Sequence, residues 1–228
     1  ISMLTTPEVI EETAFGKSGF VKSMKKDSIW MDSTTVDPMF SRKIKEKADE
    51  SGIKFFDTPV AGSKVPAGNG ELIFLAGGSE EELKEGSHLF DYMGKRTIYT
   101  DKRGQGSALK MLINSMMAQS MLVFSESVLL GEKLGFEKDY LLETLSGLPV
   151  IAPFTQYKAG RIKEGNFDVE FPLEWMLKDI YLLSKTAYDA GYSQFMNDIA
   201  KNTFLDAKRK GMGREDFSAV FKYLKGRE

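Results

Sequence analysis

Gly104-Gln105-Gly106-Ser107-Ala108-Leu109-Lys110-Met111-Leu112-Ile113-Asn114 is the stretch on which the reading of the fold turns. Before it, short β-type runs alternate with helical stretches; after it, every periodic segment reads as helix. Lys110 and Asn114 are four residues apart, which places both on one face of the helix that follows the glycines. That face is otherwise apolar. A lysine held there near the helix start loses hydration, so its pKa is expected to fall towards neutrality, where a proton donor and acceptor is effective. The plainer alternative is a lysine whose stem covers the core while its ammonium reaches water.

Upstream of this stretch, strands are expected at 1–4, 28–31, 54–58, 72–76 and 97–99, with helical segments at 7–14, 21–24, 38–51 and 80–93. Pro38 suits a helix start and Gly52 a helix end. Downstream, helices are expected at 108–134, 138–145, 152–160, 173–190, 196–210 and 215–225. The fold class that follows is α/β over 1–103, a partial Rossmann-type parallel sheet, and an all-α domain over 104–228. The α/β part contains no GxGxxG turn. Such a sheet normally opens with a strand, that turn and a helix, because the turn and the helix N-terminus hold a pyrophosphate. A truncated version of a longer protein is therefore expected, inactive on its own.

Composition narrows the function. At 42% hydrophobic and 28% charged residues, the 228-residue chain is of globular type. A net charge of −2 provides no basic field for nucleic acid or anionic lipid, so neither is expected as a partner. With zero cysteines there is no disulfide, thiolate nucleophile or cysteine-ligated zinc, and no metal site is expected. The single histidine, His88, lies on a charged helical segment and reads as solvated and structural. Acid–base chemistry is left to Lys, Asp, Glu or Tyr. The most apolar stretch, 108–130, is interrupted by Lys110, Asn114, Gln119 and Glu126, which argues against a membrane span. The N-terminus carries no leader pattern, and the expected compartment is the cytoplasm.

Three further constellations stand out. Asp57-Thr58-Pro59-Val60-Ala61-Gly62-Ser63-Lys64-Val65-Pro66-Ala67-Gly68-Asn69-Gly70 follows a strand and can present successive backbone N–H groups to an anion, or is simply a glycine-rich turn. Asp32-Ser33-Thr34-Thr35-Val36-Asp37-Pro38 ends a strand, where ligands of α/β sheets collect, although helix capping by Asp37 or a threonine explains the same residues. Phe171-Pro172-Leu173-Glu174-Trp175-Met176-Leu177-Lys178-Asp179 starts a helix and sets a cation beside an anion, which need not pair because adjacent side chains point apart.

In this order and spacing the motifs resemble those of the β-hydroxyacid dehydrogenase family, which includes 3-hydroxyisobutyrate dehydrogenase and the tartronate and glyoxylate/succinic semialdehyde reductases, with 6-phosphogluconate dehydrogenase more distant. The family's loop D-x-P-V-S-G-x-x-x-x-A-x-x-G-x-L is followed by Asp57 to Leu72, its helix G-x-G-x-x-x-K-x-x-x-N by Gly104, Gly106, Lys110 and Asn114, and its K-D pair by Lys178 and Asp179. Gly62-Ser63-Lys64-Val65-Pro66-Ala67 and Phe171-Pro172-Leu173 look most like the glyoxylate/succinic semialdehyde reductase branch.

The resemblance implies an NADP- or NAD-dependent oxidoreductase interconverting a small carboxylated aldehyde and its hydroxy acid, with a C-terminal domain of the 6-phosphogluconate dehydrogenase type. Lys110 would be general acid and base, and Asn114 would hydrogen-bond substrate or orient that lysine. Ala61, Gly62 and Ser63 would meet the substrate carboxylate, with Lys178 and Asp179 also on the substrate side. Leu4, Thr5, Thr34, Thr35 and Lys178 would touch cofactor. Ala61 departs from the family's serine, removing one hydroxyl contact. The Met-rich helix and the apolar helical half imply a homodimer or homotetramer. The rival reading is an inactive module that keeps the fold for oligomerisation and partner binding.

Overall fold

The structure is a computed structural model that describes residues 1–226. It divides into two compact units, Ile1–Leu112 and the residues from Ile113 onward.

In the first unit, β1 (Ile29–Asp32) runs parallel to β2 (Lys54–Asp57), with Asp32 opposite Asp57 at their carboxyl ends. The strand expected at 1–4 is reduced to a single parallel bridge between Ser2 and Asp32. Its pairing stops there because the Leu4 N–H turns to the Thr34 hydroxyl, 2.8 Å away. The chain then enters α1 (Pro7–Phe15), where Thr6 caps the helix through the Val9 N–H and proline opens it. The same device starts α2 (Pro38–Glu50): the Asp37 carboxylate accepts the Phe40 N–H at 2.9 Å. Capping is therefore one confirmed role of the 32–38 segment.

A second sheet holds β3 (Val60–Ala61), β4 (Leu72–Gly77) and β5 (Gly94–Thr100), with β3 antiparallel and β5 parallel to β4. The glycine-rich stretch is thus more ordered than a plain loop: it contains β3 and the one-turn helix α3 (Lys64–Gly68). Between β4 and β5 lies α4 (Glu80–Met93), opened by a Ser79/Glu82 capping box, and His88 on it is exposed.

Aromatic packing centres on Trp30, whose ring lies 4.9–5.8 Å from those of Phe15, Phe20 and Phe55. Its indole N–H is satisfied by Ser2 Oγ at 2.7 Å, as a buried tryptophan requires. A separate cluster stacks Phe74 on Phe90 at 4.3 Å beneath α4.

Leu112 and Ile113 fall inside one continuous helix, α5 (Gln105–Lys133). The second unit adds α6 (Lys138–Ser146), α7 (Phe154–Glu164), α8 (Leu173–Asp189), α9 (Phe195–Arg209) and α10 (Val220–Lys225) around a core that includes Phe124, Met176, Ile180, Phe204 and Phe217. The helix expected at 215–225 starts late. Asp216 accepts from the Ser218 N–H and hydroxyl and caps a 3-10 turn over Phe217–Ala219, so α-helical bonding begins only at Val220. Lys158 closes that corner with an ion pair to Asp216 at 2.9 Å, both groups being buried. Among the described residues, no helix is long and apolar enough to cross a membrane, and no acidic, histidine or cysteine cluster could hold a metal ion.

Candidate active site

The position of Lys110 is set by a carboxylate far away in sequence. Asp57, at the end of β2, accepts the Gly104 N–H at 2.7 Å on one oxygen and the Ser107 N–H at 2.8 Å on the other. It is the cap of α5, and it explains why the helix begins at Gln105 rather than at the expected Ala108. The glycines of this motif serve close approach. Gly104 has φ +86°, and a Cβ at Gly106 would lie 2.2 Å from the Leu75 carbonyl oxygen. A Cβ at Gly77 would lie 1.9 Å from Asp57 Oδ1. Burial pushes the Asp57 carboxyl above the usual carboxylate range, against the pull of the Gly104 and Ser107 N–H groups.

Lys110 lies less than two turns into this helix and is only 9% exposed, with Ser107, Met111 and Asn114 buried around the same face. Ser107 also shares a hydrogen bond with Ser41 of α2 at 2.8 Å, a second tie that steadies the first turn.

The carboxyl end of β1 forms a second focus. Asp32 Oδ1 accepts from the Ser2 hydroxyl at 2.7 Å and the Thr34 hydroxyl at 2.8 Å, while Thr34 in turn accepts the Leu4 N–H. Burial drives the Asp32 carboxyl up to about 6, opposed by those two hydroxyls. Leu4 and Thr34 are therefore brought together, with the Thr34 hydroxyl engaged inside the protein. Thr5 is exposed and Thr35 half-buried beside them.

At the turn after β3, Ala61 and Ser63 are half-buried and Gly62 is exposed with φ +122°. A Cβ there would come within 2.9 Å of the Leu72 side chain, so both conformation and space demand glycine.

The second unit assembles its own cluster. Asn114, fully buried, donates its amide N–H to Asp179 Oδ2 at 2.6 Å. Lys178 Nζ stands 3.0 Å from Asp179 Oδ1, so the adjacent charges do pair. Asn114 Oδ1 is buried with no hydrogen-bond partner. One residue on, Ser115 donates to Asn197 Oδ1 at 2.7 Å, and Asn197 donates to the Ile180 carbonyl at 2.9 Å, joining α5, α8 and α9. In the sequence Asp57 and Asp32 appear only as the first residues of their motifs, without a role, and Asn197 carries no signal; an aspartate ending an apolar strand is the local signal for the first two.

Comparison with known proteins bears on what these residues do. Residues 1–101 match the family model of the NAD binding domain of 6-phosphogluconate dehydrogenase, and residues 104–224 match that of the NAD-binding of NADP-dependent 3-hydroxyisobutyrate dehydrogenase. The cofactor class is therefore a nicotinamide dinucleotide. The chain is 33% identical over 224 residues to a chloroplastic glyoxylate/succinic semialdehyde reductase of Arabidopsis thaliana, covering 98% of this chain and 63% of that protein. A second Arabidopsis thaliana glyoxylate/succinic semialdehyde reductase is 32% identical, over 99% of this chain and 78% of its own length. A crystal structure of 3-hydroxyisobutyrate dehydrogenase from Salmonella typhimurium superimposes with a TM-score of 0.89 at 22% identity, over 97% of this chain and 77% of that one, which speaks for the fold. Two family models in series along one chain, with about a third of positions shared with these reductases over nearly its whole length, make it a member of the β-hydroxyacid dehydrogenase family.

Proposed function

We propose that the chain carries the proton-transfer machinery of an NAD(P)-dependent reductase acting on a small carboxylated aldehyde, such as a semialdehyde or glyoxylate, and on the corresponding hydroxy acid. The observation that carries this reading is Lys110: a lysine only 9% exposed, on a helix locked to the sheet by Asp57 and two close-packed glycines. Such a group has restricted hydration and a defined approach, which is what a general acid needs.

When bound, a nicotinamide dinucleotide supplies or accepts hydride. Lys110 gives a proton to the carbonyl oxygen in reduction and takes it from the hydroxyl in oxidation. Gly62 and Ser63 offer backbone N–H groups to the substrate carboxylate, at a turn where a side chain at position 62 would collide with Leu72. Asn114 hydrogen-bonds substrate or the lysine, with Lys178 and Asp179 behind it. Leu4, Thr5, Thr34 and Thr35 fit the cofactor's polar edge: they lie at the carboxyl end of a parallel strand, the usual ligand side of such sheets, and combine an exposed hydroxyl with backbone already organised by Asp32. The absence of GxGxxG from the sequence leaves pyrophosphate binding without residues to assign.

The functional division is placed at Arg103/Gly104, and the cysteine-free composition favours a reducing compartment, the cytoplasm. Met116, Val123 and Leu130 are exposed on α5 at seven-residue spacing, a seam suited to a second copy of the chain, so a homodimer or homotetramer is part of the proposal. The non-catalytic alternative gains no support from relatives named as reductases and dehydrogenases. The test is Lys110→Ala in the full-length protein: turnover should fall about a hundredfold or more with the circular dichroism spectrum unchanged. Turnover within about threefold of wild type would refute the assignment.

A further inference from the structure

We propose that Asp179 is a positioning residue that turns the Asn114 amide so that its carbonyl oxygen, and not its NH2, is offered to the reacting groups. The inference rests on the dehydrogenase reading above and gives Asn114 a defined chemistry within it: an acceptor of one N–H or O–H.

A primary amide has two faces, donor and acceptor, and nothing in the sequence says which one a buried asparagine presents. Here the choice is forced. Asp179 is ion-paired with Lys178 at 3.0 Å, so its oxygens only accept, and Oδ2 stands 2.6 Å from Asn114 Nδ2. Rotating the amide by half a turn would oppose two acceptors in a buried site where Asn114 is 0% and Asp179 2% exposed. With the NH2 held, Oδ1 is left as a fully buried acceptor without a protein hydrogen bond. An unmatched buried acceptor is costly, and in a native protein it calls for a partner the protein does not itself supply, such as a catalytic proton, a ligand, an ion or a water.

Two groups in the proposed reaction carry a suitable hydrogen: the substrate hydroxyl and the amine of Lys110, four residues earlier on the same helix. Both obey the same rule, that the Asn114 oxygen accepts. A hydroxyl donor makes Asn114 a selector of the alcohol over the aldehyde. A lysine donor makes it the group that directs the amine's remaining hydrogens and lone pair.

The experiment is a double-mutant cycle in the full-length protein with Asp179→Asn, Asn114→Leu and the pair, following steady-state kinetics in both directions across pH. Asp179→Asn keeps the shape but lets the facing amide turn either way. It should lower kcat/KM about tenfold or more. In the Asn114→Leu background the same change should cost less than about threefold, because Asp179 acts through Asn114. A rise in KM confined to the hydroxy acid identifies the substrate hydroxyl as the donor. A shift of the pH limb that Lys110→Ala removes, with KM unchanged, identifies the lysine. Effects that multiply in the double variant, or an Asp179→Asn protein that behaves as wild type, overturn the proposal. If Asp179→Asn does not fold, the Asn114 side-chain amide of the wild type is followed by 15N-correlated NMR: protons shielded from exchange support the held orientation, and exchange at the solvent rate overturns it. Wild-type behaviour of Asp179→Asn beside a dead Lys110→Ala sinks this inference alone, whereas a fully active Lys110→Ala sinks the dehydrogenase reading first.

Discussion

The two units bury their carboxylates in opposite ways. In the α/β unit, Asp32 and Asp57 are surrounded by neutral donors: two hydroxyls on one oxygen of Asp32, and two backbone N–H groups, one on each oxygen of Asp57. In the helical unit, Asp179 and Asp216 are each met by a lysine, Lys178 at 3.0 Å and Lys158 at 2.9 Å. The titration follows. Burial carries Asp32 up to about 6 and raises Asp57, whereas burial at Asp216 is outweighed by the Lys158 ammonium and the Ser218 hydroxyl, leaving it below the usual range. Neutral donors orient a carboxylate but leave its desolvation incompletely offset; a cation offsets it and makes both partners depend on each other. The sheet unit uses acids as caps and ties at strand ends without a cation, and the helical unit adds a lysine to each, even where Asp216 also caps a turn.

Removing one partner of such an ion pair should have the largest effect. Lys158→Ala leaves Asp216 buried with only its hydroxyl and N–H donors, and is expected to cost about 3–5 kcal/mol, read by urea denaturation. A loss below about 1 kcal/mol would show that Asp216 needs no cation and would erase the contrast. Next comes Asp32. An acid whose folded pKa of about 6 exceeds its unfolded value binds its proton more tightly when folded, so its contribution to stability is greatest at acid pH and is lost as pH rises towards 6. Asp32→Asn keeps an oxygen for both hydroxyls and removes the ionisation. Its stability relative to wild type should grow by up to about 3 kcal/mol between pH 4 and pH 6 and then level off. A pH-independent difference contradicts the account. Asp57 is less forgiving to the same exchange, because both its oxygens accept: Asp57→Asn sets an NH2 against a backbone N–H. About 2 kcal/mol of stability should be lost, together with protection from hydrogen exchange in the first turn of α5. At the bottom of the scale, His88→Ala, on an exposed helix face, should change stability by no more than about 0.5 kcal/mol and turnover not at all.

Most of the element plan was legible because its signals are local. Pro38 after Asp37 marks a helix start, and apolar periodicity marks α5, α8 and α9 to within a few residues. The misses share a cause. The start of α5 depends on Asp57, 47 residues before Gly104; the late start of α10 depends on Asp216, held by Lys158 from another helix; and β3 exists only because β4 is there to pair with it. Such partners are set by the tertiary fold and leave no trace in a short window. The site shows the same division. The spacing of Lys110 and Asn114 was visible on a helical wheel, and the Lys178/Asp179 doublet was visible as sequence. That the doublet pairs, and that Asn114 donates to Asp179, required the packing of α8 beside α5 within the helical unit.

The caged indole of Trp30 has a practical corollary. The chain contains two tryptophans, and the other, Trp175, sits half-buried on α8, so each unit carries its own intrinsic fluorophore. Under tryptophan-selective excitation, a Trp175→Phe protein emits from the sheet unit alone and a Trp30→Phe protein from the helical unit alone. The order in which the two units melt is therefore open to direct optical measurement without any added dye.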